Sequence, residues 1–492
     1  MTDRYDVIVV GAGNAALCAA LSAAESVQRI LVLERAPEEE SGGNSRFTAG
    51  LMRVCYGGVE DLRKAIPDLS PDEIARTDFG TYTEEQFLDD MGRLTEYRCD
   101  PDLTEILVKQ SLPTVEWMRG KGVRFTAAWG RQAFNIGGKF KFWGGLTVEA
   151  VGGGPGLVES LTAIAKKAGI EVWFNARALE LIYDDSGITG IRVRREGKTL
   201  LLKTRAVVLA AGGFQADPEQ RTRYLGPGWE LAKVRGTRFN TGDGIRMALA
   251  VGAAPTGNWS GCHAVAWERN APEFGDLAVG DQFQKHSYPW GIYLNAEGKR
   301  FVDEGADFRN YTYAKYGRVI LSQPGQFAWQ IFDAKVKAQL RDEYRIKQVT
   351  KRTGNTLEEL VAKLEDTDQK AALEEIRQYN AAVQTQIAFN PNVKDGRCTK
   401  NLAINKSNWA NTLDTPPFEA YAVTCGITFS FGGLKINTDA QVMSSDGAPI
   451  PGLFAAGELV GGIFWFNYPG GTGLTNGAVF GRIAGRNAAR KK

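Results

Sequence analysis

Histidine is almost missing from this chain. His263 and His286 are the only 2 in 492 residues, so a metal centre built on several imidazoles is excluded. Cysteine is sparse and scattered: Cys18, Cys55, Cys99, Cys262, Cys398 and Cys425 contain no Cys-x-x-Cys pair. That spacing excludes thiolate clusters and c-type haem attachment, and it points to reduced thiols in a cytoplasmic protein. An excess of one charge sign is lacking too. Lys and Arg number 59 against 57 Asp and Glu, for a net charge of +2. Neither nucleic acid nor an anionic membrane surface finds an electrostatic footprint here. No apolar run approaches the ~20 residues that span a bilayer, so the chain is not itself membrane-spanning. The first strand begins by Asp6, leaving no room for a signal peptide or twin-arginine leader. No internal repeat, low-complexity tract or heptad array is present.

What is abundant is glycine, 57 residues, much of it clustered. Hydrophobic content of 43% and charged content of 24% are those of a globular protein, and the length suggests about two or three domains. The densest information lies at the start. Asp6–Val10 reads as an apolar strand, Gly11-Ala12-Gly13-Asn14-Ala15-Ala16 follows, an alanine-rich helix runs to about Glu25, and Ile30–Leu33 is a second strand ending at Glu34. Strand, Gly-x-Gly-x-x-Ala turn, helix, strand and acid make up the dinucleotide fingerprint. Gly11 permits the tight turn, Gly13 the approach of a pyrophosphate, and Ala16 close packing of helix on strand. The helix N-terminus offers N–H groups to phosphates. Glu34 suits two ribose hydroxyls, favouring a 2′-hydroxyl over a 2′-phosphate.

Farther along, small residues in Ser41-Gly42-Gly43-Asn44-Ser45 would let backbone press on a cofactor. A helix is expected over Leu103–Met118, and another over Leu157–Lys167 after Gly152-Gly153-Gly154. Strands are expected at Glu171–Phe174, at Leu179–Tyr183 with Ile191–Arg195 as a hairpin, and at Val207–Ala211 before Gly212-Gly213. From about Gly257 the sequence turns aromatic and irregular. Charged helical stretches follow at Lys335–Arg341 and Thr356–Gln384, the latter opened by a Thr356/Glu359 capping box. After Pro416-Pro417 glycine-rich sequence returns, with a strand near Ile450 and a final helix from about Asn476. The fold class is α/β: a discontinuous Rossmann-like dinucleotide-binding domain (1–256 and 418–492) with an inserted α+β capping domain (257–417).

Several motifs recur in a fixed order: Gly11–Glu34, Gly42–Ser45, Asn240-Thr241-Gly242-Asp243-Gly244, Gly298-Lys299-Arg300-Phe301, Ala456-Gly457-Glu458 and Phe480–Gly485. Together they resemble the flavoprotein superfamily of succinate dehydrogenases, soluble fumarate reductases and 3-ketosteroid dehydrogenases, over nearly the whole chain. The Gly13–Ala20 opening, the Gly42–Gly50 stretch and Asn467–Leu474 are similar to the tricarballylate dehydrogenase branch, which oxidises tricarballylate to cis-aconitate. The resemblance implies FAD contacts at Gly11, Gly13, Ala16, Glu34, Arg35, Gly42, Gly43, Asn44, Ser45, Ala211, Gly212, Asp243, Gly457, Glu458, Gly473 and Leu474. Asn44 stands where succinate dehydrogenases carry a flavin-linked histidine, so FAD is expected to be non-covalent. The resemblance also implies a membrane-bound haem or iron–sulfur partner as electron acceptor.

Flavin chemistry on a carbon–carbon bond needs an acidified C–H and a proton carrier. By the resemblance that carrier is Arg309, at a spacing from Arg300 one residue longer than in fumarate reductases. Arginine stays charged through the physiological range, so it needs a relay. The family's relay pair is absent from Gln284-Lys285-His286-Ser287; His286 is either its replacement or a loop histidine. His263 aligns with a substrate-binding histidine. Phe429 and Tyr468 replace a histidine and an arginine that grip a dicarboxylate. Tyr468 resembles the ketone-polarising tyrosine of 3-ketosteroid dehydrogenases, and it is read as a general acid, an oxyanion donor or a packed ring. Phe464-Trp465-Phe466 adds an aromatic wall, and Arg131, Lys139 and Lys141 are candidate carboxylate contacts. The expected activity is an FAD-dependent dehydrogenase or reductase acting beside a carboxylate, with tricarballylate as the named substrate. A larger ketone or enone substrate and a non-catalytic electron-transfer subunit are the alternatives.

Overall fold

The computed structural model describes residues 4–142 and 144–490. In its first part the elements that matter here are β1 (Val7–Val10), α1 (Asn14–Ala23), β2 (Ile30–Leu33), α2 (Pro101–Lys121), α3 (Gly153–Lys167), β3 (Glu171–Trp173) and β4 (Val207–Leu209). The later part holds β5 (Pro255–Glu268), β6 (Ile292–Leu294), α4 (Tyr313–Leu321), β7 (Phe327–Phe332), β8 (Phe418–Leu434), β9 (Gln441–Met443), β10 (Pro449–Ala455) and α5 (Thr472–Arg490).

The first sheet has the order β3-β2-β1-β4-β10-β9. All its pairs are parallel except β9 with β10. Every residue of β1, β2 and β4 is buried, as expected of a parallel sheet covered on both faces. Each such Val, Leu or Ile contributes ~1.5–3 kcal/mol of apolar burial. The sheet holds the two ends of the chain together. α5 packs on α1 through Gly477, Gly481 and Gly485, spaced one turn apart. A Cβ on Gly481 would stand 2.4 Å from Ala15 O, and one on Gly485 would stand 1.9 Å from Ala19 O. Only glycine lets these backbones meet.

A separate antiparallel sheet joins Ala176–Asp184, Gly187–Arg195 and Lys198–Thr204, with Arg4–Tyr5 added in parallel. A larger sheet is organised on the 17-residue β8. β7 and Lys351–Gly354 pair with its first half and β5 with its second, while β6 extends from β7. The β5–β8 register slips between Asn258 and Cys262 and again between His263 and Ala264. Such bulges re-aim side chains. The strand after Pro417 therefore belongs with the strands of the 257–417 segment rather than with the first sheet.

The expected helices and the hairpin form, with shifted ends. Lys335–Arg341 gives only a 3₁₀ turn, Ala334–Gln339, capped by Asp333. Thr356–Gln384 splits into Leu357–Val361 and Gln369–Ala382, because Asp368 caps a fresh start with its side chain on Ala371 N. Thr356 caps Glu359 N at 3.1 Å, but the Glu359 carboxylate takes Asn355 N, so the capping box is not reciprocal. α5 begins four residues ahead of Asn476, at Thr472. Glycine at position 473 disguises its first turn, and that turn faces the site. Among the described residues no helix is long and apolar enough to cross a membrane, and no acidic, His and Cys group has the makings of a metal site.

Candidate active site

In an open parallel sheet the ligand crevice lies beyond the carboxyl ends of the strands. Gly11 follows β1, Glu34 follows β2, Ala211 and Gly212 follow β4, and Gly457 follows β10; all line one continuous cleft. Gly11 has φ +107°, and a Cβ there would sit 2.4 Å from Ala210 O. The N-terminus of α1 has no side-chain cap, although Ser45 Oγ accepts Asn14 N at 3.1 Å. Gly13, Asn14, Ala15, Gly43, Asn44 and Ser45 line the same stretch. No side chain of α1 caps this end, and its backbone borders the cleft, where a pyrophosphate would sit.

Glu34 accepts Ala12 N at 2.9 Å on Oε2 and Ala36 N at 2.8 Å on Oε1. Each oxygen keeps a further lone pair for a ribose hydroxyl. Burial raises its pKa against those backbone donors. Beside it Asp243 is a charge hub. Arg177 meets it with a two-bond fork at 2.9 and 2.9 Å, Arg35 at 3.1 Å and Arg246 at 3.1 Å. Burial pushes the Asp243 carboxyl up, but the three guanidiniums outweigh it and hold the group below its ordinary range. Both Asp243 oxygens are engaged, so its influence on a ligand passes through Arg35 and Arg177, which also line the cleft.

Asn44 is fixed by Nδ2 to Thr428 O and by Thr237 N to its Oδ1 at 2.9 Å. Glu458 accepts Ser430 N at 3.0 Å and Gln215 Nε2 at 3.2 Å. Burial on the inner wall pushes its pKa up to about 7. Gly473 and Leu474 place the first turn of α5 on the cleft. Ala16 and Gly42 do not line it. Ala16 is fully buried in α1 packing, and Gly42 is enclosed by Val158 and Arg46, where a Cβ would approach to 2.6 and 2.9 Å.

Beyond the cradle the cleft lining combines cationic and aromatic side chains. Arg131, Arg235, Arg309 and Arg341 line it, with Asp281 as a lining carboxylate. Arg309 Nη2 and Arg341 Nη1 both donate to Arg131 O, at 2.9 and 3.0 Å. Arg131 pairs with Asp281 at 3.2 Å and Arg341 with Glu343 at 2.9 Å. Tyr313, Phe429, Phe464 and Tyr468 line the cleft as well. The Tyr313 and Tyr468 hydroxyls are hydrogen-bonded to each other, and burial raises the pKa of both.

The two histidines separate. His286 lines the cleft, its ring edge-on to Tyr313 at 4.9 Å. His263 is fully buried and is not a lining residue. The Phe429 ring stacks on it at 5.1 Å and 10°, so the ring that replaces a family histidine also screens this one. Burial, reinforced by Arg235, drops the pKa of both histidines far below the usual value, leaving them neutral. Lys139 and Lys141 do not line the cleft either. They sit on the Lys139–Phe142 strand, with Lys141 turned to Asp78 at 3.7 Å. Arg235, Arg341, Tyr313 and Arg177 were not anticipated. Tyr313 carries a signal, four residues after Arg309; Arg341 carries none.

The profile of the FAD binding domain family matches residues 6–474. The chain is 29% identical over 494 residues to a probable fumarate reductase, Ifc3, of Shewanella frigidimarina, covering 99% of this chain and 75% of that protein. It is 30% identical over 507 residues to urocanate reductase of Eggerthella lenta, again covering 99% and 75%. Its fold matches the crystal structure of 3-ketosteroid Δ1-dehydrogenase from Sterolibacterium denitrificans with a TM-score of 0.76 at 21% identity, covering 100% of both chains.

Proposed function

Since this chain belongs to the FAD binding domain family, in the fumarate reductase and succinate dehydrogenase group, and is an FAD-dependent oxidoreductase of carbon–carbon bonds, we propose that its substrate is a carboxylate desaturated, or in reverse saturated, beside the carboxyl group. Tricarballylate, giving cis-aconitate, is the first candidate. The observation that supports this reading is the cluster of Arg309 and Arg341 on Arg131 O, with Arg235 lining the same cleft. Guanidinium forks are matched to carboxylates, and the named substrates of the two curated relatives above are carboxylic acids.

Bound FAD supplies the two-electron acceptor or donor. The chain's own residues do the rest. Glu34 holds ribose, the N-terminus of α1 and the Gly11–Gly13 turn hold the pyrophosphate, and Arg35, kept in place by Asp243, closes the adenosine end. Asn44 offers an amide that forms no covalent link, so the cofactor is held non-covalently. Glu458, Ala211, Gly212, Gly457, Gly473 and Leu474 complete the cradle. The segment 257–417, with β8, forms the wall that shuts water from the reacting carbon. Arg309 carries the proton to or from that carbon. His286 is the one neutral imidazole in reach of the cavity, and Tyr468, with Tyr313, offers an O–H to a developing oxyanion. Electrons leave to a separate haem or iron–sulfur partner.

The Tyr313–Tyr468 pair favours a second reading, a cyclic ketone or enone substrate polarised by phenol. Anaerobic dye-coupled assays of the FAD-loaded protein decide between them. Turnover with tricarballylate or other carboxylates supports the first reading; turnover confined to cyclic ketones supports the second; no turnover with either leaves a non-catalytic electron carrier.

A further inference from the structure

Two buried side chains on the cleft wall, Arg235 and His286, each carry a nitrogen without a hydrogen-bond partner. Arg235 is 6% exposed, its Nη1 makes one long bond of 3.3 Å to Thr428 Oγ1, and its Nε has no partner. His286 is 5% exposed and its Nε2 has none. Two other buried arginines are far better supplied with partners. Arg221 donates to Trp229 O, Gln215 O and Glu230 O at 2.9, 2.6 and 3.0 Å. Arg300 meets Glu304 at 3.1 and 2.6 Å and Ile404 O at 2.7 Å.

Charge separates Arg235 from its neighbours in the same way. Arg131 has Asp281 and Arg341 has Glu343. Among the described residues no carboxylate lies within ion-pairing distance of Arg235. A buried guanidinium without a counter-charge is costly in a folded protein unless a ligand supplies one. Both orphaned groups line the cleft, where a ligand would supply it.

We propose that Arg235 and His286 together form a seat for a substrate carboxylate. Arg235 provides the charge and the Nε donor. His286, in the tautomer with its proton on Nε2, provides a neutral donor beside it. Burial, with the Arg235 charge adding to it, keeps this imidazole neutral, so the two groups are complementary rather than redundant. The inference rests on the carboxylate reading above and sharpens it. Arg309 is left to the proton, while recognition of the anion falls to residues that the fingerprint motifs do not contain. A substrate with a ketone but no carboxylate would leave the seat empty.

The test is equilibrium binding to the FAD-loaded, full-length protein, by calorimetry and flavin difference spectra. The probes are tricarballylate, fumarate, cyclohexanecarboxylate and, as the uncharged control, cyclohexanone. Arg235→Gln should weaken every carboxylate that the wild type binds by about 10–100-fold, and cyclohexanone not at all. Arg235→Lys should recover part of the loss, because the charge returns without the fork. His286→Phe should weaken carboxylates about 10-fold and His286→Gln, which keeps a donor, much less. FAD content and melting temperature should match wild type. Carboxylate affinity within twofold of wild type in Arg235→Gln, equal loss of cyclohexanone, or a wild type that binds none of the three acids would each overturn the seat. If tricarballylate fails but another acid shows the Arg235 dependence, the seat stands and the tricarballylate reading falls.

Discussion

Replacing Asp243 by Asn keeps the side chain's shape and removes its charge. In the native protein that carboxylate meets three guanidiniums through bonds of 2.9, 2.9, 3.1 and 3.1 Å. Its own side chain is 15% exposed, and those of Arg35, Arg177 and Arg246 are 30%, 40% and 59% exposed. Solvent screening discounts each pair in that order. The forked Arg177 pair is worth ~1–2 kcal/mol, the Arg35 contact ~0.5–1 and the exposed Arg246 contact ~0.2–0.5. Loss of all three destabilises the fold by about 2–3 kcal/mol. With ~2.1 cal/mol/K of unfolding entropy per residue, that lowers Tm by about 2–3 °C for a chain of this length.

Arg35 and Arg177, no longer bridged, then repel each other at the adenosine end, and FAD affinity falls about tenfold, or ~1.4 kcal/mol. The pH dependence fixes the cause. The native pKa of Asp243 lies below its unfolded value near ~3.9, so the stabilisation is complete above that value and is lost as pH falls through the native pKa. The Tm gap between Asp243→Asn and wild type should therefore be flat from about pH 8 to pH 5 and close only below about pH 4. Scanning fluorimetry of apo and FAD-loaded protein measures it. An unchanged Tm and unchanged FAD affinity would refute the hub.

Arg309→Lys should retain FAD yet lose about 10³-fold or more in turnover, within the range a positioned acid–base group supplies; stopped-flow rates near wild type would remove Arg309 from proton transfer. Tyr468→Phe strips the Tyr313 hydroxyl of its partner. Turnover of a carboxylate should survive within about tenfold, and a ketone substrate should lose 10²-fold or more, so the ratio of the two rates decides the role of the phenol. His263→Phe replaces two unpaired buried nitrogens with carbon in an aromatic cage. It should leave Tm equal or higher and kcat within a few-fold; a large rate loss would return His263 to the substrate site. Gly485→Ala forces a Cβ to 1.9 Å from Ala19 O. It should destabilise by about 1–3 kcal/mol in chemical denaturation, and a neutral effect would show that α5 and α1 can slide apart.

The cofactor end was legible because its signals are local. Strand, glycine turn, helix and acid fall within the span Asp6–Glu34, and the chemistry of each position follows from backbone sterics. Ala16 and Gly42 serve packing instead of lining the cleft, a distinction that spacing alone does not make. The substrate end was legible only in part, because its residues come from separate segments: Arg131, His286, Arg309 and Tyr468 were candidates and line the cleft, whereas Arg235 and Arg341 were not named. Arg131, Arg235, His286, Arg309 and Arg341 are spread over 211 positions and meet on one cleft only in the folded chain. His263 was also a candidate, and the fold places it off the cleft lining. Phe429 stacks on it from the neighbouring strand, beside a register slip. The start of α5 was missed because glycine reads as a helix breaker, whereas here it brings the first turn of the helix to the cavity.

The central claim is that this cleft binds FAD without a covalent bond and uses it on a carbon–carbon bond beside a carboxylate. The most direct measurement takes the protein reconstituted with FAD, reduces it under argon and adds fumarate, cis-aconitate and other unsaturated acids in turn, then precipitates it with acid. Return of the oxidised flavin spectrum with at least one acid, and release of all the flavin into the supernatant, is the predicted result. A colourless protein after reconstitution, a reduced flavin that no unsaturated acid reoxidises, or flavin that stays with the precipitate would contradict it.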